Sequence, residues 1–261
     1  MSPSGSEPES LAEGTLISHL LELRTRLLHI VVAVAIAFVP LAFMSNQLFT
    51  LVAQPLIEKL PEGTSIIATS VVAPFMTPLK LSLIAAIFVA MPYILYQAWA
   101  FVAPGLYRHE KRFALPLFVS SVLLFYVGVA FAYYVVFPLM FSFLTATAPT
   151  GVRMMTDMAN YLDFTLLLFF AFGIAFEMPV ATVLLVATGL VKVESLRKNR
   201  GYVLLGIFVV AAFLTPPDAI SQTFMAVPMY ILYELGIVLS QLLTRRRAAD
   251  RAAADATQSS D

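Results

Sequence analysis

The strongest constraint on the fold is a series of six apolar stretches separated by shorter polar segments. A helix needs about 20 predominantly apolar residues to cross a hydrocarbon core about 30 Å thick. Charged residues make up only 12% of the chain, about half the share that is usual in soluble domains. The sequence therefore predicts an all-α polytopic membrane protein with six transmembrane helices. We expect these helices at residues 27–44, 79–101, 113–143, 161–190, 202–214 and 219–243.

The last two predicted spans are separated only by residues 215–218, which read Thr-Pro-Pro-Asp. Proline removes a backbone donor and biases the residue before it away from helix. We therefore predict a tight turn and a helical hairpin, with short spans five and six. At 1.5 Å per residue the fifth span reaches only about 20 Å, which predicts local thinning of the bilayer or snorkelling of side chains around it.

The Lys and Arg residues predict the orientation. If the N-terminus lies inside, thirteen of the sixteen Lys and Arg residues fall on the cytoplasmic side. These are Arg24, Arg26, Arg108, Lys111, Arg112, Lys192, Arg197, Lys198, Arg200, Arg245, Arg246, Arg247 and Arg251. Short cytoplasmic loops are enriched in such residues. The chain is therefore predicted to have both termini in the cytoplasm.

We divide the chain into a flexible cytoplasmic tail at 1–15, a single transmembrane domain at 16–243 and a disordered cytoplasmic tail at 244–261. The first 18 residues contain three acids and no Lys or Arg, unlike a secretory signal. The chain has no Cys and therefore no thiolate metal site. It carries none of the common hydrolase or nucleotide-binding motifs, and no basic patch with interleaved aromatics. We predict no enzymatic activity, cofactor, metal or nucleic-acid partner.

Two acids near the predicted cytoplasmic side are candidate binding groups. Glu22 lies in an amphipathic helix entering the membrane, four residues before Arg26, so it either forms a weak intrahelical ion pair or binds a ligand. Glu110 is the only acid among the basic residues at 108–112. It either balances those charges in a solvated loop or serves as a second binding carboxylate.

Glu177 is the candidate within the membrane, inside the fourth predicted span. An ionisable group at that depth is costly and is expected to face other helices or a wet cavity. It either makes an interhelical hydrogen bond, relays an ion or docks a partner helix, and Pro179 predicts a kink beside it. Thr215 and Gln222, near the outer hairpin, are polar residues of the kind that join helices in membranes.

Several segments, taken in order, resemble one family. They are 18–27, 73–75, 98–107 with Glu110, 131–134, 172–177 and 213–218. Together they resemble TatC, the multi-spanning subunit of the twin-arginine protein translocase. The resemblance covers about residues 16–241.

The resemblance implies a receptor for protein export in the bacterial cytoplasmic (inner) membrane. Members of the family bind the twin-arginine signal peptides of folded cargo on the cytoplasmic side. They work with the single-span subunits TatA and TatB, driven by the proton motive force. The resemblance also implies that several copies of the chain share one receptor complex within the lipid.

It further implies roles for individual residues. Glu22 and Glu110 would contact the paired arginines, with Arg24 and Phe101 in the same recognition region. A partner-helix or polar membrane site is implied at Glu177, Thr215 and Gln222. Other positions that match the family are Pro55, Tyr133 and Asp218.

Two other functions remain open from the residues alone. A secondary transporter could use Glu177 as its coupling acid, but such proteins usually have repeated halves and several polar groups near the midplane. We find neither in the sequence. A membrane-embedded enzyme would need a second catalytic group near Glu177, and the sequence offers no clear candidate.

Overall fold

The computed structural model describes residues 7–57, 66–102, 111–147, 155–215 and 218–258. Within these ranges the chain forms ten α-helices and one π-helical segment, Ala132–Val136. The helices are α1 Glu7–Phe43, α2 Ser45–Ile57, α3 Ala73–Val102, α4 Lys111–Phe131, α5 Phe137–Ala146, α6 Met158–Ala175, α7 Met178–Ala187, α8 Val193–Lys198, α9 Arg200–Leu214 and α10 Ala219–Gln258.

Five segments are long and apolar enough to cross a membrane, and α9 is a sixth, shorter apolar helix. The five are Leu20–Phe43, Ala73–Phe101, Leu115–Phe143, Met158–Ala187 and Ala219–Arg245. Each predicted span coincides with one of these six segments, which confirms the all-α polytopic membrane class. We expected spans five and six to be short. Span five, α9, is short, with 15 residues. The apolar part of α10 has 27 residues, because the helix continues through Pro228 without ending there.

Contacts between helices fix which ends lie together. Ser82, early in α3, donates a hydrogen bond to the carbonyl of Leu41, late in α1, at 3.0 Å. Lys80 pairs with Asp163 at 2.5 Å, so α3 and α6 begin at the same end of the bundle. Arg200 at the start of α9 pairs with Glu234 in the second half of the α10 span, at 2.6 Å. We call the end where α3 stops and α9 starts the basic face, and the other end the opposite face.

The fourth span is interrupted. Between α6 and α7 the backbone makes a turn at Phe176 and Glu177, with the amide of Glu177 bonded to the carbonyl of Ile174 at 3.0 Å. Pro179 occupies the first turn of α7, where its missing N–H leaves no internal hydrogen bond unmade. Where the sequence predicts a kink at Pro179, the structure therefore has a break in the helix just before the proline.

The core lies where α4, the π-helical segment and α5 pack against α6. Phe125, Phe137 and Phe172 are fully buried there. Gly173 lets α6 approach α4 closely, because a Cβ at this position would lie 2.6 Å from the Phe125 ring. Small residues commonly allow such close contact between membrane helices.

Helix α2 lies between the first two spans. The sequence predicts a surface helix at 48–60, and the structure has a helix at Ser45–Ile57. Val52 and Ala53 are buried in the core, so one side of α2 packs on the bundle. The hydroxyl of Tyr161 donates to the carbonyl of Val52 at 2.9 Å and fixes this position.

The two segments that join helices at the opposite face are tied to each other. The amide of Ile67 bonds the carbonyl of Thr156 at 3.0 Å, and the amide of Met158 bonds the carbonyl of Ile67 at 2.9 Å. The Asp157 carboxylate caps α6 and accepts hydrogen bonds from the Thr69 hydroxyl at 2.6 Å and amide at 3.0 Å. The bond from the Thr69 side chain, with the backbone amides, lowers the pKa of Asp157 to about 2.

The terminal helices extend beyond the predicted domain limits. Helix α1 begins at Glu7 and α10 continues to Gln258, where we expected a flexible tail at 1–15 and a disordered tail at 244–261. Ala and Arg dominate the C-terminal stretch and favour helix there. Each extension continues a helix that is already formed, so no new nucleation is required.

Candidate functional site

Glu22 forms an ion pair with Arg26 one turn later in α1. The Nη2 of Arg26 lies 2.5 Å from Oε1 of Glu22, and its Nε lies 3.0 Å from the same oxygen. The Glu22 side chain is 39% exposed and that of Arg26 is 22% exposed. The carboxylate therefore lies at an accessible surface and already holds a guanidinium group.

Arg26 also connects α1 with α3. Its Nη1 donates to Oε1 of Gln97 at 3.0 Å, and its Nη2 donates to the carbonyl of Ala100 at 3.2 Å. Gln97 is 6% exposed and donates through Nε2 to the Tyr93 hydroxyl at 2.7 Å. Since Ala100 lies two residues before the end of α3, this chain of hydrogen bonds is close to the basic face.

An apolar groove of about 230 Å³ runs beside this hydrogen-bond chain, between α1 and α3. We call it the α1–α3 groove; its lining residues are Leu23, Arg26, Leu27, Ile30, Ile94, Gln97, Ala98 and Phe101. Phe101, one of the predicted recognition residues, is half-buried at its edge. The groove thus places apolar walls next to the polar group formed by Arg26 and Gln97.

The other predicted recognition residues differ in placement. Arg24 is exposed, and two helical positions separate it from Glu22 and Arg26 by about 200° around α1. It therefore lies on another side of the helix. Glu110 is outside the described residues, so its proximity to Glu22 stays a prediction. The 103–110 segment follows directly on Val102, the last residue of α3.

Glu177 lies at the break between α6 and α7, in the half of the fourth span that is nearer the basic face. Its Oε2 accepts a hydrogen bond from the Ser121 hydroxyl of α4. Its Oε1 is buried and has no partner among the described residues. A cavity of about 200 Å³ adjoins it; the lining residues are Leu95, Ala98, Trp99, Ser121, Glu177, Val180, Ala181 and Leu184. We call this cavity the Glu177 pocket.

Thr215 and Gln222 lie at the opposite face, and the structure does not bring them together with Glu177. The Thr215 hydroxyl donates to the carbonyl of Ala211 at 2.9 Å, within its own helix. Gln222 Nε2 donates to the carbonyl of Phe208 at 2.9 Å and links the two arms of the hairpin. These two residues therefore lie at a different depth from Glu177, as their place near the outer hairpin indicates, and their assignment with Glu177 to a partner-helix surface stays a prediction.

The remaining family-matched residues have structural contacts. Asp218 accepts a hydrogen bond from the Ser221 amide at 2.7 Å and so caps the start of α10. The Tyr133 hydroxyl donates to the carbonyl of Leu51 at 3.0 Å and ties the π-helical segment to α2. Pro55 belongs to α2, and its side chain is outside the described residues.

Two polar residues of the site were missed in the sequence. Gln97 and Ser121 are buried within apolar spans; Gln97 contacts Arg26, the ion-pair partner of Glu22, and Ser121 contacts Glu177. A polar side chain in such a span usually bonds across helices, and that signal could have identified both. Among the residues that the structure describes, no group of three His, Asp or Glu could hold a metal ion.

Together these features define an all-helical polytopic membrane protein with two recesses near one end of its bundle. The family model described as "Sec-independent protein translocase protein (TatC)" matches residues 18–228. The chain therefore belongs to the TatC family.

Similar proteins support the assignment. A protein of Escherichia coli (strain K12) named "Sec-independent protein translocase protein TatC" is 54% identical over 226 residues, which cover 87% of this chain and 88% of that protein. One of the same name from Azotobacter chroococcum mcd 1 is 54% identical over 241 residues, which cover 92% and 94%. A solved structure, "Crystal Structure of Twin Arginine Translocase Receptor- TatC", superposes with a TM-score of 0.78 at 38% identity. It covers 87% of this chain and 99% of that one.

Proposed function

We propose that this chain is the receptor and core subunit of a twin-arginine translocase, and that it binds the signal peptides of folded proteins. The observation that carries the proposal is the Glu22 carboxylate, which is part-exposed at the basic face and already binds a guanidinium group. Membership of a family of translocase subunits supports the same role. That family consists of transport proteins rather than enzymes.

The chemistry of two carboxylates, Glu22 and Glu110, explains why the site would recognise two arginines. Guanidinium is a planar fork that binds a carboxylate through two N–H groups, and the ammonium of Lys does not reproduce this geometry. Glu22 would take one arginine of the peptide and Glu110 the other. Phe101 and the apolar walls of the α1–α3 groove suit the apolar residues that follow the arginines in a signal peptide.

Orientation and location follow from this role. The signal peptides of folded cargo arrive from the cytoplasm, so the basic face would lie there, with both termini of the chain. The distribution of Lys and Arg supports that orientation. The membrane would be the bacterial cytoplasmic (inner) membrane, and several copies of the chain would share one receptor complex.

For the partner subunits TatA and TatB we propose the Glu177 pocket as one docking point. The buried Oε1 of Glu177 could accept a hydrogen bond from a polar group on a single-span helix, which would remove an unmet hydrogen bond. Apart from Ser121 and Glu177, the pocket is lined by apolar and aromatic side chains. This lining favours helix docking over ion coupling, for which several polar groups would be expected. Thr215 and Gln222 would belong to a second contact at the opposite face.

The binding site is tested by crosslinking a twin-arginine signal peptide to the full chain carrying Glu22→Gln or Glu110→Gln. We expect each variant to lose most of the crosslink. Glu194→Gln is the matched control, since Glu194 is an exposed acid in α8, also near the basic face. Crosslinks that stay at the wild-type level in both variants would eliminate the paired-carboxylate site.

The whole role is tested in cells that lack their own TatC and produce this chain instead. A folded reporter with a twin-arginine signal should be exported, and the same reporter with a lysine-lysine signal should not. Export of neither reporter, with the chain present in the membrane, would contradict the proposal.

A further inference from the structure

The most informative contact in the recognition region is made by a residue of the chain itself. Arg26 directs Nε and Nη2 to one oxygen of Glu22. These are the groups through which a guanidinium from a peptide would bind. The part-exposed carboxylate is thus occupied by the same chemical group that it would have to recognise.

We propose that Arg26 is an internal stand-in for a signal-peptide arginine, which holds Glu22 until the peptide displaces it. The inference rests on the proposed function and adds a competing group to that site. It makes Arg26 a positioning residue that weakens binding of every cationic peptide. A peptide group must then compete with Arg26 for Glu22, which disfavours a group that pairs less well with a carboxylate, such as the ammonium of Lys.

Displacement is feasible because the ion pair is accessible. Ion pairs between neighbouring turns of a helix are weak when they are exposed to solvent. Both side chains of this pair are reachable, at 39% and 22% exposure. An incoming guanidinium can therefore exchange with Arg26 without opening the bundle.

Arg26 also keeps partners after it has been displaced. Its Nη1 bond to Gln97 and its Nη2 bond to the carbonyl of Ala100 come from α3 and do not involve Glu22. Gln97 is itself fixed through its bond to Tyr93. The released guanidinium is therefore retained against α3, where it still has acceptors, and does not have to be buried without partners.

The test measures the affinity of the full chain, in lipid nanodiscs, for a fluorescent peptide with a twin-arginine signal. In Arg26→Gln the competitor is gone, and we expect binding about three- to fivefold tighter. In Arg26→Lys the charge remains but the fork is lost. We expect binding about twofold tighter in that variant, which a simple change of net charge would not produce.

Two controls separate competition from other effects. Ser82→Ala removes an α1–α3 hydrogen bond at the opposite face, outside the groove, and keeps the pair between Arg26 and Glu22, so binding should not tighten. Arg197→Gln removes an exposed charge from α8 and should leave the affinity unchanged. Thermal unfolding of each variant checks that the bundle is intact.

The outcomes are distinct. Unchanged or weaker binding in both Arg26 variants would overturn the inference, because Arg26 would then only brace α1 against α3. Equal tightening in Ser82→Ala would overturn it as well. If the unmodified chain binds a lysine-lysine peptide as tightly as the twin-arginine peptide, the proposed function itself fails, whatever Arg26 does.

Discussion

The Ser121 hydroxyl of α4 donates a hydrogen bond to the Glu177 carboxylate at the point where the fourth span is broken. The two residues are 56 positions apart in the chain. Their contact satisfies one carboxylate oxygen and leaves the other, Oε1, buried and without a partner in the described part of the chain. The carboxylate is thus held in place by one helix and still able to accept a hydrogen bond from another.

A Glu177→Ala substitution should weaken crosslinks between the fourth span and TatA or TatB. The reason is that the acceptor for a polar group of the partner helix is removed. Site-specific crosslinking from Val180 or Leu184, which line the same pocket, measures the effect. Glu177→Gln keeps an acceptor oxygen and should retain most of the crosslink. Partner crosslinks that persist in Glu177→Ala while proton-driven export stops would support an ion relay instead.

A Gly173→Ala substitution should destabilise the bundle by about 1–3 kcal/mol, because overpacking at a helix contact forces side chains to shift. The new Cβ would lie 2.6 Å from the Phe125 ring. Gly206→Ala in α9 is the matched control, since a Cβ there meets nothing within 4 Å. Thermal unfolding in detergent compares the two. A Gly173→Ala protein as stable as Gly206→Ala would contradict this packing between α4 and α6.

The hydrogen bonds from Thr69 to the Asp157 carboxylate should weaken in acid. The pKa of Asp157 is lowered to about 2 from its usual value of 3.8, so its charged form is favoured by folding. That contribution to stability is complete above about pH 4 and is lost as the pH falls through about 2. Proteolysis or hydrogen exchange at residues 66–72, followed between pH 5 and 2, measures the loss.

Asp157→Asn should remove the acid-dependent part of that change, and the segment should be less protected even at neutral pH. Thr69→Ala removes the hydrogen bond from the Thr69 side chain, the largest cause of the lowered pKa. In that variant the midpoint should move toward the ordinary value for Asp. Identical pH profiles in all three proteins would mean that this carboxylate does not hold the two segments together.

A Tyr161→Phe substitution should loosen α2 from the bundle and cost about 1–2 kcal/mol of stability, because the buried carbonyl of Val52 loses its donor. Tyr133→Phe is the comparison, since its hydroxyl donates to the neighbouring carbonyl of Leu51 from a less buried position. It should cost less. Thermal unfolding and cysteine accessibility along α2 report both effects, and equal costs would count against burial as the cause.

Five of the spans could be predicted from the sequence because each depends on one local property, a run of apolar residues about as long as the membrane is thick. The hairpin between α9 and α10 could also be predicted, because its two prolines are likewise a local signal. The extended helix of α10 beyond Arg247 was missed because polar composition suggested disorder, whereas the helix simply continues from the span.

The site was only partly predictable. Glu22 and Glu177 could be singled out because an acid beside or inside an apolar span is unusual. The long-range hydrogen bonds around them could not be predicted, since Gln97 is 71 residues from Arg26 and only the packing of α3 brings them together. The contact between Ser121 and Glu177 likewise depends on how α4 packs against the fourth span, which no local pattern encodes.

Ala98 lines both the α1–α3 groove and the Glu177 pocket. Helix α3 therefore forms a wall shared by two cavities, the groove proposed for a signal peptide and the pocket proposed for a partner helix. A ligand that displaces α3 in one cavity would change the shape of the other. If binding in the groove alters the affinity of the pocket, thermodynamic reciprocity requires that binding in the pocket alter the affinity of the groove by the same factor.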